Sequence, residues 1–271
     1  MPSIAKFQKE VLAYYAASGR SFPWRKTRDP YKILVSEIML QQTQAPRVIE
    51  KYTSFLQRFP TIEKLARAPR TKVLKEWQGL GYNRRGLALK NTAEIIMSDF
   101  KGKIPKDYNA LLSLPGVGPA TAGDIMAFAW NIPAVVIETN IRTVFLHYFF
   151  PEKNSVPDNE LLPLITKSLP ADNAREWYYA LMDYGAMLKK KLPNPSRRSR
   201  HYAQQSPFKG SNREQRSKIL KYLLSYPRQS LETIIEALDI DPAVIKKNLA
   251  AMVAEGLISK KIIKGKTIFF S

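Results

Sequence analysis

The chain has no cysteine and only two histidines, His147 and His201. Thiolate nucleophiles, disulfides and cysteine-ligated zinc or iron–sulfur centres are therefore excluded, and a histidine metal site is not expected. Chemistry must rest on carboxylates, hydroxyls, amides and basic side chains. The sharpest local signal is LPGVGPATAG at residues 114–123, set between the helical stretches NALLSL and DIMAFAW. Gly116 and Gly118 around a short turn let the backbone pass close to a ligand. The second helix then offers unsatisfied N–H groups and the positive end of its dipole, an arrangement suited to a phosphate. Some 20 residues further on, PAVVIETNIRTVF places Glu138 and Asn140 after a short apolar stretch.

The elements that must position these residues are mostly helical. With 271 residues, 45% hydrophobic and 24% charged, the chain can bury a core and form more than one domain. From about residue 3 to 192 apolar residues recur at helical spacing, as in Val35, Ile38, Met39 and in Val48, Tyr52, Phe55, Leu56, Phe59. Pro60 and Thr61, Thr71, and Pro105 mark helix starts. Residues 189–210, KKKLPNPSRRSRHYAQQSPFKG, lose that periodicity and read as a basic linker. Beyond it, NREQRSKILKYLLSY, LETIIEALD and PAVIKKNLAAMVAEG read as three helices, with Ser230 and Asp241 as caps and Pro242 in a first turn. LISKKIIKGKTIFFS alternates around a Lys264-Gly265 turn. Three helices and a two-stranded hairpin resemble a winged helix, with Lys246, Lys247 and Asn248 expected on the exposed side of its third helix. A dimerisation or packing module is the alternative reading.

The formal net charge of +20 exceeds what solubility requires and points to a polyanion. Nucleic acid is favoured over membrane, because no apolar run approaches the roughly 20 residues of a spanning helix. MPSIAKFQKEVLAYYAA lacks a signal-peptide layout, so a cytoplasmic, DNA-associated location is expected.

The hairpin and the ETN segment, together with WRKTRDPYKILVSEIMLQQTQ and GLGYNRRGLAL, form an ordered set of blocks. Over roughly residues 20–190 this set resembles the helix-hairpin-helix glycosylases, and within them the MutY-type adenine glycosylases more than the endonuclease III type. The resemblance implies that Glu37 is the general acid that protonates a purine leaving group. It puts Glu138 where the family has an aspartate facing the sugar, with Asn140 beside it. Gln41, Gln42 and Thr43 match a segment that probes the base stack, and Tyr82 a minor-groove aromatic. Arg20, Phe22 and Trp24 match the entry to a base pocket. The carbonyls of Leu112, Leu114 and Val117 match a site for a monovalent cation beside a DNA phosphate. Breaking an N-glycosidic bond needs a better leaving group and stabilised positive charge on the sugar, and two carboxylates in different environments can supply both. Extraction of the base from the stack accounts for a wedge and a phosphate clamp in one domain.

Four departures from the family pattern stand out. The usual cysteine loop after DYGAM is replaced by the basic stretch, whose Lys189, Lys190, Lys191, Arg197, Arg198 and Arg200 are candidates for its phosphate-binding share. Glu138 carries one methylene more than aspartate. Ala120 stands where bifunctional relatives have a Schiff-base lysine, which excludes a lyase step through that position. Tyr179 stands where adenine glycosylases read the base.

The expectation is a mainly α protein with three parts: a helix-hairpin-helix glycosylase domain at 1–192, a basic linker at 193–211 and a winged-helix domain at 212–271. It is expected to be a monomer acting on lesion- or mismatch-bearing duplex DNA, as a monofunctional glycosylase of a damaged or mispaired base such as adenine. No cofactor is expected to be required, and the hairpin can hold an optional structural monovalent cation. The alternative is a catalytically weakened damage sensor or architectural DNA-binding protein.

Overall fold

The computed structural model describes residues 3–271. In chain order the helices are α1 Ile4–Ser18, α2 Pro30–Leu40, α3 Ala45–Arg58, α4 Ile62–Arg67, α5 Arg70–Trp77, α6 Arg84–Asp99, α7 Tyr108–Leu112, α8 Pro119–Trp130, α9 Thr139–Phe149, α10 Asp158–Ser168, α11 Ala174–Lys191, α12 Asn212–Ser225, α13 Leu231–Ala237 and α14 Pro242–Ala254. The strands are β1 Gln229–Ser230, β2 Ser259–Ile263 and β3 Lys266–Phe270. The fold is thus mainly α with a small C-terminal sheet, as expected. No helix among the described residues is long and apolar enough to cross a membrane.

The chain forms two compact units whose division falls within α2. One comprises the residues up to Glu37 together with Ile104–Gln204, the other Ile38–Lys103 with Gln205–Ser271. This differs from the boundary at 192 read from the sequence, and the reason is packing. Leu74 of α5 and Leu87 of α6 share one hydrophobic cluster with Ile219, Leu220, Leu223, Ile245, Leu249 and Phe269 of the C-terminal module. A buried leucine gains about 1.5–3 kcal/mol from leaving water, so such a cluster outweighs proximity along the chain.

In the first unit Phe7 of α1 packs edge-on against Phe145, Tyr148, Phe149 and Trp177, with centroids 4.9–5.6 Å apart. This fixes α1 against α9 and α11. The helix starts are capped locally: Asp107 accepts from the Ala110 N–H, Ser230 from Thr233, and Asp241 from Ala243 and Val244. In the second unit Lys264 and Gly265 both adopt positive φ, which gives the two-residue turn joining β2 to β3. β1 adds a third strand, in the order β1-β3-β2, to the expected two-stranded hairpin.

Three expectations are corrected. The stretch read as a linker is partly built into the first unit: Pro195–Arg198 forms a 3₁₀ turn, Pro195 and Ser196 are buried, and Ser199 pairs with Val156. Arg198, a candidate phosphate ligand, turns inward and donates to the carbonyls of Leu146 at 3.0 Å and Pro151 at 2.8 Å. Carbonyls at and just beyond the C-terminal end of α9, the negative end of its dipole, attract a guanidinium. Asn248 is buried and donates to Asn212 Oδ1 at 2.8 Å, which ties α14 to α12, while Lys246 and Lys247 are exposed.

Candidate active site

Glu37 sits near the end of α2, where the apolar run ILVSEIML places it in the core, and only 8% of it is exposed. Burial raises its pKa to about 7, with a further push from the charge of Glu138; the Ser36 hydroxyl, 3.4 Å from Oε1, and the Arg25 guanidinium oppose it. A carboxyl poised near neutrality can be an acid at working pH.

Glu138 caps α9. Its Oε1 accepts from the N–H groups of Asn140 at 2.7 Å and Ile141 at 2.8 Å, and Oε2 accepts from Asn140 Nδ2 at 3.1 Å. Asn140 therefore orients Glu138. The segment leading to Glu138 is held by the Tyr178 hydroxyl, which donates to the Ala134 carbonyl at 2.6 Å and accepts from Val136 N–H at 3.1 Å. Gly185 of α11 makes room at this point. A Cβ there would lie 2.8 Å from both the carbonyl carbon and the Cβ of Asn140, so only glycine lets the two helices approach this closely.

The entry segment forms an aromatic wall organised by arginine. Phe22 stacks on Trp24, centroids 4.9 Å apart and 10° from parallel. Tyr179 stacks on Phe128 at 4.3 Å, and the Arg25 guanidinium lies over its ring at 4.4 Å. Tyr179 is thus a packed platform. Arg20 is committed to Asp183: its main-chain N–H and Nε each donate to that carboxylate at 2.7 Å. Arg25 adds a fork of 2.8 and 2.9 Å. Burial by itself would raise the carboxyl of Asp183, but these bonds and charges hold it below the usual range. Ala120 is half-buried and brings no functional group.

Three of these parts are not legible from the motifs. Arg25 lies within the entry segment and Asp183 is the first residue of DYGAM, within α11, yet nothing in their spacing shows that they pair. Asp124, on α8, is 6% exposed; burial, then Glu37 and Glu138, raise its pKa well above the ordinary value. No group of three or more histidine, cysteine, aspartate or glutamate residues among the described residues is disposed to hold a metal ion. Of the basic run, Lys189 is half-buried, and burial lowers its pKa against the pull of the Glu138 charge; Lys190, Lys191, Arg197 and Arg200 are exposed.

The hairpin is formed by α7 and α8. Gly116 has φ +78°, which turns the chain, and α8 starts at Pro119 with Gly118 as its N-cap and no side-chain cap bond. No atom lies within 4 Å of a Cβ built at Gly118, so this face is open. The Leu112, Leu114 and Val117 carbonyls belong to the same turn. Leu114 O accepts from Val117 N–H at 3.1 Å, which leaves it a second lone pair.

In the other unit the segments of Gln41–Thr43 and Tyr82 converge on Arg85. Its guanidinium donates to the carbonyls of Ile38 at 3.0 Å, Met39 at 2.9 Å and Gly81 at 3.1 Å, to Thr43 Oγ1 at 2.9 Å, and to the carbonyl of Gln41. Gln42 and Tyr82 both hold positive φ, 53° and 47°. These strained positions persist because Arg85 ties both turns together. Arg213 of α12 donates to the Tyr82 hydroxyl at 2.8 Å, and Gln205 also contacts it. The C-terminal module thus reaches a residue singled out for DNA contact.

A buried acid beside a capped carboxylate, with a helix-hairpin-helix in the same unit, defines the architecture of base-removing DNA repair enzymes. The family model described as HhH-GPD superfamily base excision DNA repair protein matches residues 35–165. An adenine DNA glycosylase of Buchnera aphidicola subsp. Baizongia pistaciae is 36% identical, over 67% of this chain and 52% of its own length. That of Mycolicibacterium smegmatis is 31% identical, over 93% of this chain and 92% of its own length. The solved structure of a thermostable thymine-DNA glycosylase aligns with a TM-score of 0.63 and 31% identity, over 68% of this chain and 86% of that one. The chain belongs to the HhH-GPD superfamily of base excision DNA repair proteins. It spans about half the length of the Buchnera relative and nearly all of the mycobacterial one.

Proposed function

We propose that the protein is a monofunctional DNA glycosylase that hydrolyses the N-glycosidic bond of a damaged or mispaired base in duplex DNA, adenine being the first candidate. The observation that carries this reading is Glu37, buried and held near pKa 7 beside the Glu138 carboxylate. Glu37 gives its proton to the extruded base, and the C1′–N bond breaks with its electron pair leaving on the base. Glu138 stabilises the oxocarbenium-like sugar, and water adds at C1′ and loses a proton to restore neutrality. Ala120 provides no amine for a Schiff base.

The open face at Gly116 and Gly118 suits a phosphate, and a monovalent cation held by the Leu112, Leu114 and Val117 carbonyls would strengthen that contact. Lys189 serves the sugar side near Glu138. Lys190, Lys191, Arg197, Lys246 and Lys247 are solvent-facing cations available to the backbone, and Gln41, Gln42, Thr43 and Tyr82 are the wedge. The protein is assigned as a monomer.

A second reading, a damage sensor with weakened catalysis, is favoured by one feature: both oxygens of Glu138 are engaged, Oε1 in capping α9 and Oε2 by the Asn140 side-chain amide. Single-turnover incubation of the wild type and Glu37→Gln with labelled duplexes, followed by alkali, separates the two. The panel carries adenine opposite guanine or 8-oxoguanine, uracil and thymine opposite guanine, hypoxanthine and alkylated bases. Glu37-dependent strand breaks support the glycosylase. Lesion-selective binding with no breaks, unchanged by Glu37→Gln, supports the sensor.

A further inference from the structure

Asp124 lies one helical turn from both Ala120 and Phe128, so the three residues share a face of α8. That strip runs from half-buried Ala120 to Phe128, 1% exposed, whose ring stacks on Tyr179 at 4.3 Å. Asp124 is 94% buried in the middle of the strip, and its Oδ1 has no hydrogen-bond partner among the described residues. Two other acids of the site are engaged: Asp183 is gripped by two arginines, and Glu138 caps a helix. Buried polar groups are almost always paired, so an unpaired one on this strip calls for a partner that completes it.

We propose that Asp124 is a specificity-determining residue that reads the extruded base, its carboxylic acid offering one donor and one acceptor side by side to a base edge carrying the complementary pair. This rests on the glycosylase reading and names the base chemistry that its site accepts. Burial first, then the neighbouring Glu37 and Glu138, raise the pKa of Asp124 well above the ordinary carboxylate value, which favours its acid form over a second anion beside the sugar. An acid of this kind matches a ring nitrogen next to an exocyclic amine, as in adenine, or a ring N–H next to a carbonyl, as in uracil and thymine. A base lacking one member of the pair leaves a buried group unsatisfied, and sites built on such pairing reject those analogues strongly.

The test compares single-turnover release of adenine with purine, and of uracil with 2-pyrimidinone, by the wild type, Glu37→Gln, Asp124→Leu and Asp124→Asn. The wild type should prefer the base with the complete edge. Asp124→Leu should slow release of that base about 10–100-fold and abolish the preference, while asparagine, which keeps a donor and an acceptor, should recover the preference. An equal loss on both members of a pair, or no loss, overturns the proposal. If Asp124→Leu does not fold, absence of the preference in Asp124→Asn overturns it. Absence of Glu37-dependent release by the wild type on every substrate overturns the underlying function instead.

Discussion

Replacing Glu37 by glutamine should stabilise the folded protein above neutrality while removing its chemistry. The Glu37 carboxyl has an ordinary pKa of 4.5 and about 7 in the fold. Each unit of pKa corresponds to about 1.4 kcal/mol, so the buried neutral form is favoured over the ionised one by about 3 kcal/mol. A carboxyl whose folded pKa is raised leaves stability intact below 4.5 and erodes it as pH climbs through 7, because the unfolded chain loses its proton first. Glutamine keeps the volume and carries no proton to lose. Urea denaturation from pH 4 to 8.5 should therefore show the variant equal to the wild type at the acid end and about 3 kcal/mol more stable at the alkaline end. In the same window, base release by the wild type should be level in mild acid and fall about tenfold per pH unit above about 7. A difference in stability that does not change with pH would refute the argument, since it would mean that Glu37 titrates as an exposed carboxyl does.

Three further outcomes follow from the packing. Arg25→Ala leaves Asp183 with Arg20 as its remaining cationic partner and uncovers the face of Tyr179, so stability should drop by about 3 kcal/mol, read by thermal or urea unfolding. Gly185→Ala forces α11 away from Asn140; a loss of about 1–3 kcal/mol is expected, with base release impaired more than DNA binding because the start of α9 carries Glu138. Arg85→Lys cannot make the same fork to Thr43 and the surrounding carbonyls, so the positive-φ turns at Gln42 and Tyr82 should relax and DNA affinity should fall about tenfold at fixed salt. An unchanged affinity would show that these turns do not engage DNA.

The parts visible in the sequence are those set by local stereochemistry and by ordered motifs. The glycine turn at 114–118, the caps at Ser230 and Asp241 and the Lys264-Gly265 turn each depend on a few adjacent residues, and the helical periodicity fixed the mainly α class. The blocks around Glu37 and Glu138 were sufficient to place the family. Tertiary structure decided the rest. Asp124 reads in sequence as an acid near a helix start, where it needs no special explanation, and only the fold buries it without a partner. Arg198 and Asn248 read as exposed and turned inward, because helix ends and a neighbouring helix, remote in sequence, offered partners. Asp183 lies 163 positions from Arg20, and Arg213 lies 131 from Tyr82. Such pairs have no local signature: each side chain satisfies every nearby rule for a surface residue, and only burial, which depends on the whole chain, makes the pairing compulsory.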